Sequence, residues 1–304
     1  MHPDPDLARA VAAVPEWDGL DPVIAPIEAG RTNRNYRVDV GGRSFFLRLA
    51  GKETRLLGID RGAEQAAARG AAAAGVGPEV VAVLPEHDCL ITRWVDAEPL
   101  GAGDLEREEV IEDVVSVVRA IHAGPDLPWS FSAFRIVEDY RRVSLERGVA
   151  IPEAYDDAHA HAAEIERALR AAPSPLRPCH NDLLSDNFLR GEDRIWLVDY
   201  EYAGMGDPFF DLGNLSVNNA MSEDAQEALL RRYLGAPTDA DRARLQLMRI
   251  MSDFREAMWG VVQQGLSALD IDYVAYADTH FDRLAISMSD DRFRAWLRAA
   301  GGEG

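Results

Sequence analysis

The chain has 304 residues, 47% of them hydrophobic, and a formal net charge of −20 at pH 7. This length exceeds what a single hydrophobic core comfortably serves, so a protein of two lobes is expected. The negative charge repels nucleic-acid backbones and anionic lipid surfaces, so neither nucleic acid nor a membrane is an expected partner.

The N-terminus and the two cysteines indicate the compartment. The sequence contains no apolar stretch of about 20 residues, so no membrane insertion is expected. Its first residues, MHPDPDLARAVAAVPEW, carry acids and prolines where a secretory signal needs a basic start and an apolar run. Cys89 and Cys179 lack CxxC spacing, which predicts neither a disulfide framework nor a zinc site. We therefore expect a soluble, cytoplasmic protein.

The first third of the chain is predicted to form an antiparallel sheet with one helix. Two β-favouring runs flank Gly41-Gly42, a signal for a tight hairpin. An alanine-rich stretch at 59–75 has helical spacing and ends in GVGP, which is a helix stop. The predicted strands are residues 23–30, 34–40, 43–50, 80–84 and 89–95.

After residue 95 the hydrophobic spacing changes from about two residues to about 3.6, which indicates helices in place of strands. The segment 178–207 interrupts these helices. We predict an α+β protein in which a sheet lobe, residues 1–95, precedes a helical lobe, residues 96–304, with a cleft at the joint. The predicted helices are residues 104–123, 134–147, 153–171, 208–219, 222–234 and, in two or three pieces, 238–300.

The interrupting segment contains the candidate catalytic groups. CHNDLLSDNFL places Asp182 and Asn187 among apolar neighbours, and Asp199 follows IWLV. A turn at 191–193 separates NFLR from IWLVDY, so a hairpin is predicted to bring the three side chains together. One carboxylate can accept a hydroxyl proton, while an amide and a second carboxylate offer hard oxygens to Mg²⁺. This equipment is typical of kinase-type phosphoryl transfer.

HNDLLSDN followed by LVDYEYAGMGDPFFDLGNL resembles the choline/ethanolamine kinase family, part of a wider kinase-like group that includes aminoglycoside phosphotransferases. The resemblance extends from GRTNRNYRV to DYVAYAD, nearly the whole chain. It implies a two-lobed, protein-kinase-like fold. It also implies that Asp182 is the catalytic base and that Asn187 and Asp199 are the metal ligands.

Two further residues of the motif are expected to support the site. His180 resembles the histidine that braces the catalytic loop, and no nucleophile lies beside it in the sequence. Asp211 could cap the helix that follows or brace the catalytic loop. We expect bracing and capping from it, and no chemistry.

Phosphate binding in so acidic a chain needs local positive charge. Protein kinases use a strand lysine paired with a helix glutamate. Arg48, on the strand FFLRLA, and Glu64, on the next helix, occupy the corresponding places, and the choline kinase family is similar in having an arginine there. We expect Arg48 to hold nucleotide phosphates, although an ordinary salt bridge has the same geometry. Lys52 lies past the strand and is a weaker candidate.

GRTNRNYRV lies between two predicted strands, where a phosphate-covering loop belongs. It has one glycine, Gly30, in place of the GxGxxG of protein kinases, but it resembles the GxTN turn of the choline kinase group. Thr32 and Asn33 are therefore expected to contact phosphate, and a plain hairpin turn is the alternative. TRWV, residues 92–95, is the expected joint, whose backbone meets adenine in this fold.

The acceptor is predicted to be a small cationic molecule. Eleven residues separate Asp199 from Asp211, too few for the segment on which protein kinases dock peptides. The acidic balance favours a cation. Glu256, Trp259 and Gln263 fall on one face of a predicted helix through their i, i+3 and i+7 spacing.

By the resemblance, Trp259 and Tyr276 match aromatic walls that hold a quaternary ammonium through cation–π contacts. Packing in the helical core is the alternative for Trp259. Better-known choline kinases have a second tryptophan where this chain has Glu256, and an acid where it has Asn218. This chain therefore has a carboxylate at 256 in place of the one that those kinases have at the position of Asn218, and the site keeps a negative charge for an amine. Choline is therefore the first expected acceptor and ethanolamine the second.

The expected activity is ATP- and Mg²⁺-dependent phosphorylation of a small amino alcohol. Two alternatives stay open. One is an aminoglycoside or another amino sugar as the acceptor. The other is a non-catalytic nucleotide-binding regulator, whose usual mark is the loss of the base or of a metal ligand.

Overall fold

The computed structural model describes residues 4–27, 32–101, 103–267 and 269–302. Its N-terminal part is a five-stranded antiparallel sheet in the order β1-β2-β3-β5-β4. All five predicted strands are present, although residues 28–30 of the first prediction lie outside the described residues. The elements are α1 (Pro5–Ala12), β1 (Val23–Ile27), β2 (Arg34–Val40), β3 (Arg43–Leu49), α2 (Arg61–Ala73), β4 (Val80–Leu84) and β5 (Cys89–Arg93).

The β2–β3 hairpin follows from its two glycines. Gly41 and Gly42 have φ of 59° and 72°, the left-handed conformation that a two-residue primed turn requires. Val40 therefore pairs with Arg43 across the turn. Alternate residues of the two strands face one side of the sheet and share a core with α1. These buried residues are Tyr36, Val38, Val40, Phe45, Leu47 and Leu49.

Helix α2 connects the sheet to the rest of the molecule. It begins after Asp60, whose side chain accepts the N–H of Ala63 at 2.8 Å. Its small residues Ala67 and Ala71 belong to the larger core of the helical part. The division into lobes at 95/96 stays a proposal, since this helix of the first lobe packs into the core of the second.

The C-terminal part is built around α8 (Asp239–Leu266), a helix of 28 residues. It begins with a capping box, in which Thr238 and Asp241 each accept the backbone N–H of the other. Most of its residues between 243 and 263 are buried because other helices pack on several of its sides. Those helices and their neighbours are α3 (Glu108–His122), α4 (Ala133–Glu146), α5 (Ala154–Ala171), α6 (Pro208–Asn218), α7 (Glu223–Leu234), α9 (Tyr273–Met288) and α10 (Phe293–Ala300).

The C-terminal part also contains two small sheets of short strands. The predicted hairpin is confirmed, and β6 adds a strand to it directly after the joint between the parts. A second small sheet pairs β7 with β10. Helix α1 and the strands β6, β7 and β10 were not predicted; the strands are two or three residues long and have no periodic pattern. Their bounds are β6 (Glu98–Pro99), β7 (Arg177–Cys179), β8 (Phe188–Arg190), β9 (Ile195–Leu197) and β10 (Gly204–Gly206).

Within the described ranges, no helix combines the length and the apolar character that crossing a membrane demands.

Candidate active site

A cleft of about 880 Å³ lies between the sheet and the helices. Nine predicted site residues line it, and they come from both parts of the chain. Glu64 contacts Arg48 and Asn33 contacts Glu201, both residues of the cleft wall, but neither Glu64 nor Asn33 lines the cleft. The lining residues predicted from the sequence are Thr32, Arg48, Asp182, Asn187, Asp199, Asn218, Glu256, Trp259 and Tyr276.

The loop that carries Asp182 is held by a buried carboxylate. Asp211, in the first turn of α6, accepts the backbone N–H of His180 at 2.8 Å and of Asn181 at 2.6 Å. Burial by itself would raise the pKa of Asp211, but the hydrogen bond from His122 and nearby charge lower it below the ordinary value. The helix cap is Asp207, so Asp211 braces the loop and does not cap α6.

Two asparagines of α6 and its C-terminus extend this support. Asn214 Oδ1 accepts the N–H of Leu183 at 2.5 Å, and Asn219 Oδ1 accepts the N–H of Ser185 at 2.8 Å. The Asn219 amide also donates to the carbonyl of Leu183 at 3.0 Å. One helix therefore fixes the backbone on both sides of Asp182. Sequence reasoning missed both asparagines.

His180 links the loop to the strand that precedes Asp199. Its ring is buried; Nδ1 accepts the N–H of Asp182 at 3.3 Å and Nε2 lies 2.9 Å from the carbonyl of Val198. Burial lowers the pKa of this ring, which favours the neutral form with the proton on Nε2. These contacts match the bracing that was expected of His180.

The side chain of Asp182 lies at the floor of the cleft, 15% exposed. Its Oδ1 accepts a hydrogen bond from Arg255 Nη1 at 3.2 Å. Burial raises the pKa of Asp182 to about 7; the Arg255 charge acts against this shift, and Glu256 and Asp199 add to it.

Asn187 and Asp199, the two predicted metal ligands, both offer an oxygen atom to the cleft. Asn187 Nδ2 donates to the carbonyl of Asp182 at 2.8 Å, so its Oδ1 is not used in that hydrogen bond. Asp199 has φ of 66°, a left-handed conformation uncommon outside glycine, and its side chain is 38% exposed. An amide oxygen and a carboxylate on one cleft wall suit Mg²⁺, which prefers hard oxygen ligands.

Arg48 joins the sheet to this wall. It is buried on β3, forms an ion pair with Glu64 on α2, and places Nη1 at 3.2 Å from Asp199 Oδ1. Glu64 also binds Arg61 Nη1 at 2.8 Å. The predicted strand-to-helix pair is present, and it extends to Asp199.

Asn33 lies within a network behind the cleft. Its Oδ1 accepts from the N–H of Gly51 at 3.3 Å and from Arg61 Nη2 at 3.1 Å, while its Nδ2 donates to Glu201 at 2.8 Å. A Cβ at Gly51 would lie 2.0 Å from the carbonyl oxygen of Thr32, so only glycine allows this approach.

The neighbouring candidates for phosphate binding differ in position. Thr32 lines the cleft, whereas Lys52 is exposed and does not line it. Gly30 and the rest of residues 28–31 lie outside the described residues. A contact between Thr32 and phosphate therefore stays a prediction.

Glu256, Trp259 and Tyr276 come together at the other end of the cleft. Tyr276 donates to Glu256 Oε2 at 2.8 Å, and the rings of Trp259 and Tyr276 meet at 5.4 Å and 63°. This contact depends on Gly260, where a Cβ would lie 2.9 Å from the Tyr276 ring. Gln263, predicted on the same helix face, is buried and does not line the cleft.

Asn218 and Arg255, at the same end of the cleft as Trp259, differ in their hydrogen bonds. Neither Oδ1 nor Nδ2 of Asn218 has a hydrogen-bond partner among the described residues. Arg255, which sequence reasoning missed, donates Nη1 to Glu256 Oε1 at 2.5 Å as well as to Asp182. Its setting in SDFREAMW, where Asp253 and Glu256 are charged as well, gave no signal that singled it out.

The sequence and the fold of this chain are similar to those of known proteins. A family model described as the phosphotransferase enzyme family matches residues 23–248. A solved choline/ethanolamine kinase family protein from Mesorhizobium loti is 34% identical with a TM-score of 0.83, covering 98% of this chain and 99% of that one.

Two named relatives are more distant. Protein LicA of Haemophilus influenzae is 26% identical over 224 residues, which are 72% of this chain; the chain spans 65% of that protein's length. Ethanolamine kinase 2 of Mus musculus is 26% identical over 268 residues, covering 78% of this chain and 68% of that protein.

Proposed function

The chain belongs to the phosphotransferase enzyme family and is a small-molecule kinase related to the choline/ethanolamine kinases, and on that premise we propose that it transfers the γ-phosphate of ATP to the hydroxyl of a small amino alcohol. The family and the α+β kinase-like fold predicted from the sequence are confirmed. Choline is the first proposed acceptor, and ethanolamine is the second.

One observation carries the proposal. Asp182, Asn187 and Asp199 line the same cleft, and the loop of the first two is tied to α6 by backbone hydrogen bonds. A base and two oxygen ligands on a rigid support are what phosphoryl transfer requires of a protein, because most of the catalysis is positioning and charge stabilisation.

The residues divide the reaction between them. Asp182 accepts the hydroxyl proton as the acceptor oxygen bonds to the γ-phosphorus; the bond from that phosphorus to the bridging oxygen breaks, ADP leaves, and Asp182 releases the proton to solvent. Asn187 and Asp199 hold Mg²⁺, which supplies neutralising charge to the phosphates when bound. Arg48, held by Glu64, would bind the phosphates together with Thr32, which lines the cleft, while Asn33 would support this loop from behind.

The acceptor end suits an amine. Trp259 and Tyr276 form a corner of two aromatic rings, and Glu256 adds a negative charge behind it. A quaternary ammonium gains about 0.5–2 kcal/mol from such rings. The unpartnered Oδ1 of Asn218 favours ethanolamine as the second candidate, because a primary ammonium has N–H donors that require acceptors.

The test is an ADP-release assay with choline, ethanolamine, thiamine and an aminoglycoside. We expect turnover of choline or ethanolamine, its loss in Asp182→Asn, and no change in Asp193→Asn, an exposed acid of the β8–β9 turn. Turnover of the aminoglycoside alone would show that the acceptor is an amino sugar and not an amino alcohol. Tight binding of Mg-ATP without turnover of any acceptor would favour a regulatory protein.

A further inference from the structure

Arg255 is a buried charge to which the proposed reaction assigns no role. It is 1% exposed on α8, next to the buried side chains of Phe254, Ala257 and Met258. Its guanidinium lies over the ring of Tyr202, 4.2 Å from the ring centre. It lines the cleft together with the proposed base.

Stability does not account for this arginine. Its Nε and Nη2 atoms are buried and have no hydrogen-bond partner among the described residues. Buried donors without partners destabilise a fold, and apolar residues of similar volume often replace buried ion pairs without loss. Stability therefore does not explain the two unpartnered donors, although removing Arg255 alone would leave the buried Glu256 and Asp182 without its charge.

A second arginine of the same helix shows what a structural role looks like. Arg244 is also buried and lies over an aromatic ring, that of Phe209. Its Nε and Nη2 both bind Asp207 Oδ2, at 3.2 and 2.6 Å, and its Nη1 donates to the carbonyl of Ala172 at 2.7 Å. Every nitrogen of Arg244 is bonded, whereas Arg255 uses Nη1 alone in the hydrogen bonds of the described residues.

We propose that Arg255 is a positioning residue, which holds one oxygen of Asp182 through Nη1 and so directs the other oxygen towards the acceptor hydroxyl. The proposal rests on the proposed function, in which Asp182 is the base. Glu256 and Tyr276 complete the arrangement, because Tyr276 binds the glutamate and the glutamate binds the same Nη1.

The form of the contact supports positioning over simple charge pairing. A fork-like contact between Arg255 and Asp182 would engage both carboxylate oxygens and leave neither oxygen free of the arginine. The observed contact involves Asp182 Oδ1 alone, and Glu256 competes for the same Nη1 at a shorter distance, 2.5 Å against 3.2 Å. Arg255 thus orients the base without engaging it fully.

The experiment compares Arg255→Met, Arg255→Lys and the matched control Arg244→Met by steady-state kinetics and thermal unfolding. In Arg255→Met we expect kcat to fall about 10- to 100-fold, as misplacement of a catalytic group does, with KM for ATP nearly unchanged. Arg255→Lys keeps a donor and should recover part of kcat. Arg244→Met should unfold at a lower temperature and keep its kcat.

The inference is overturned if Arg255→Met keeps the kcat of the wild type, or if Arg255→Lys recovers none of the loss. It is also overturned if Arg244→Met loses kcat to the same degree, because general loosening of α8 would then explain both. If Arg255→Met does not fold, Arg255→Gln replaces it under the same criteria.

Failure of the proposed function gives a different result. A wild-type enzyme that phosphorylates none of the amino alcohols contradicts the function whatever Arg255 does. Slow hydrolysis of ATP, with water in the place of the hydroxyl, then becomes the readout for the same variants. A drop of that rate in Arg255→Met, and not in Arg244→Met, still supports the positioning role.

Discussion

The two sides of the cleft contain the same arrangement of charges, built from different parts of the chain. Each side has a buried arginine paired with a buried glutamate, and each arginine places Nη1 at 3.2 Å from an aspartate of the cleft wall. The groups are Arg48, Glu64 and Asp199 on the proposed nucleotide side, and Arg255, Glu256 and Asp182 on the proposed acceptor side.

The difference lies in what each glutamate connects. Glu64 comes from α2 and ties that helix to β3, and it also binds Arg61. Glu256 is the chain neighbour of its arginine, so their own contact joins no two elements; a separate hydrogen bond from the Tyr276 hydroxyl ties Glu256 to α9. We conclude that the first pair holds elements together, while the second sets the position of one carboxylate.

Asp182→Asn and Asp199→Asn should show the largest difference between the two sides of the cleft, because the first should change kcat and the second the Mg²⁺ dependence of the rate. We expect Asp182→Asn to lower kcat by about 10²- to 10⁴-fold, the usual contribution of a general base, with an unchanged Mg²⁺ dependence. Asp199→Asn should raise the Mg²⁺ concentration for half-maximal rate by about tenfold or more. Rate measurements over a Mg²⁺ titration check this, and equal shifts in both variants would contradict the assignment.

Glu64→Gln and Glu256→Gln should differ in stability. The first change leaves Arg48 and Arg61 without their shared carboxylate, and breaking such a buried pair costs about 3–5 kcal/mol of unfolding free energy. The second removes the carboxylate of one arginine, Arg255, and should cost less, about 1.5–3 kcal/mol. Both Arg48 and Arg255 keep their aspartate partners, so the difference comes from Arg61. Urea unfolding of both variants tests this order, and a larger loss in Glu256→Gln would reverse our interpretation.

A matched pair of asparagines gives a smaller contrast. Asn33→Ala removes hydrogen bonds to Gly51, Arg61 and Glu201, so we expect about 1–3 kcal/mol less stability and a higher KM for ATP. Asn218→Ala removes a side chain without partners among the described residues. It should leave stability unchanged and raise KM for ethanolamine more than for choline. Thermal unfolding tests the difference in stability, and KM values for ATP, choline and ethanolamine test the difference in binding.

An ion pair on the surface, Glu227 with Arg242, should have the smallest effect on stability. A hydrogen bond from Arg242 lowers the pKa of Glu227 to about 2, with Arg231 contributing. Because the folded pKa is depressed, this pair stabilises above the unfolded value of 4.5 and the effect is lost as pH falls towards 2. Glu227→Gln should therefore cost about 0.2–1 kcal/mol at pH 7, given the exposed partners, and nothing near pH 2, with kcat unchanged.

Sequence reasoning reached one side of the cleft more completely than the other. The pair of Arg48 and Glu64 was predicted because a strand and the next helix have recognisable periods and a known counterpart in kinases. Arg255 was missed because its partner Asp182 lies 73 residues away, and one arginine among the several charged residues of α8 gives no indication of its contact. Asn214 and Asn219 were missed for the same reason.

The sequence by itself determined the α+β class and the β2–β3 and β8–β9 hairpins, and it pointed to Asp182, Asn187 and Asp199 as neighbours, because periodicity, turn residues and motif spacing are local properties of the chain. Only the tertiary structure decided how α6 clamps the loop of Asp182, how β6 joins the β8–β9 hairpin, and that Arg255 reaches the proposed base. These contacts join residues tens of positions apart, and their geometry depends on how α6 and α8 pack.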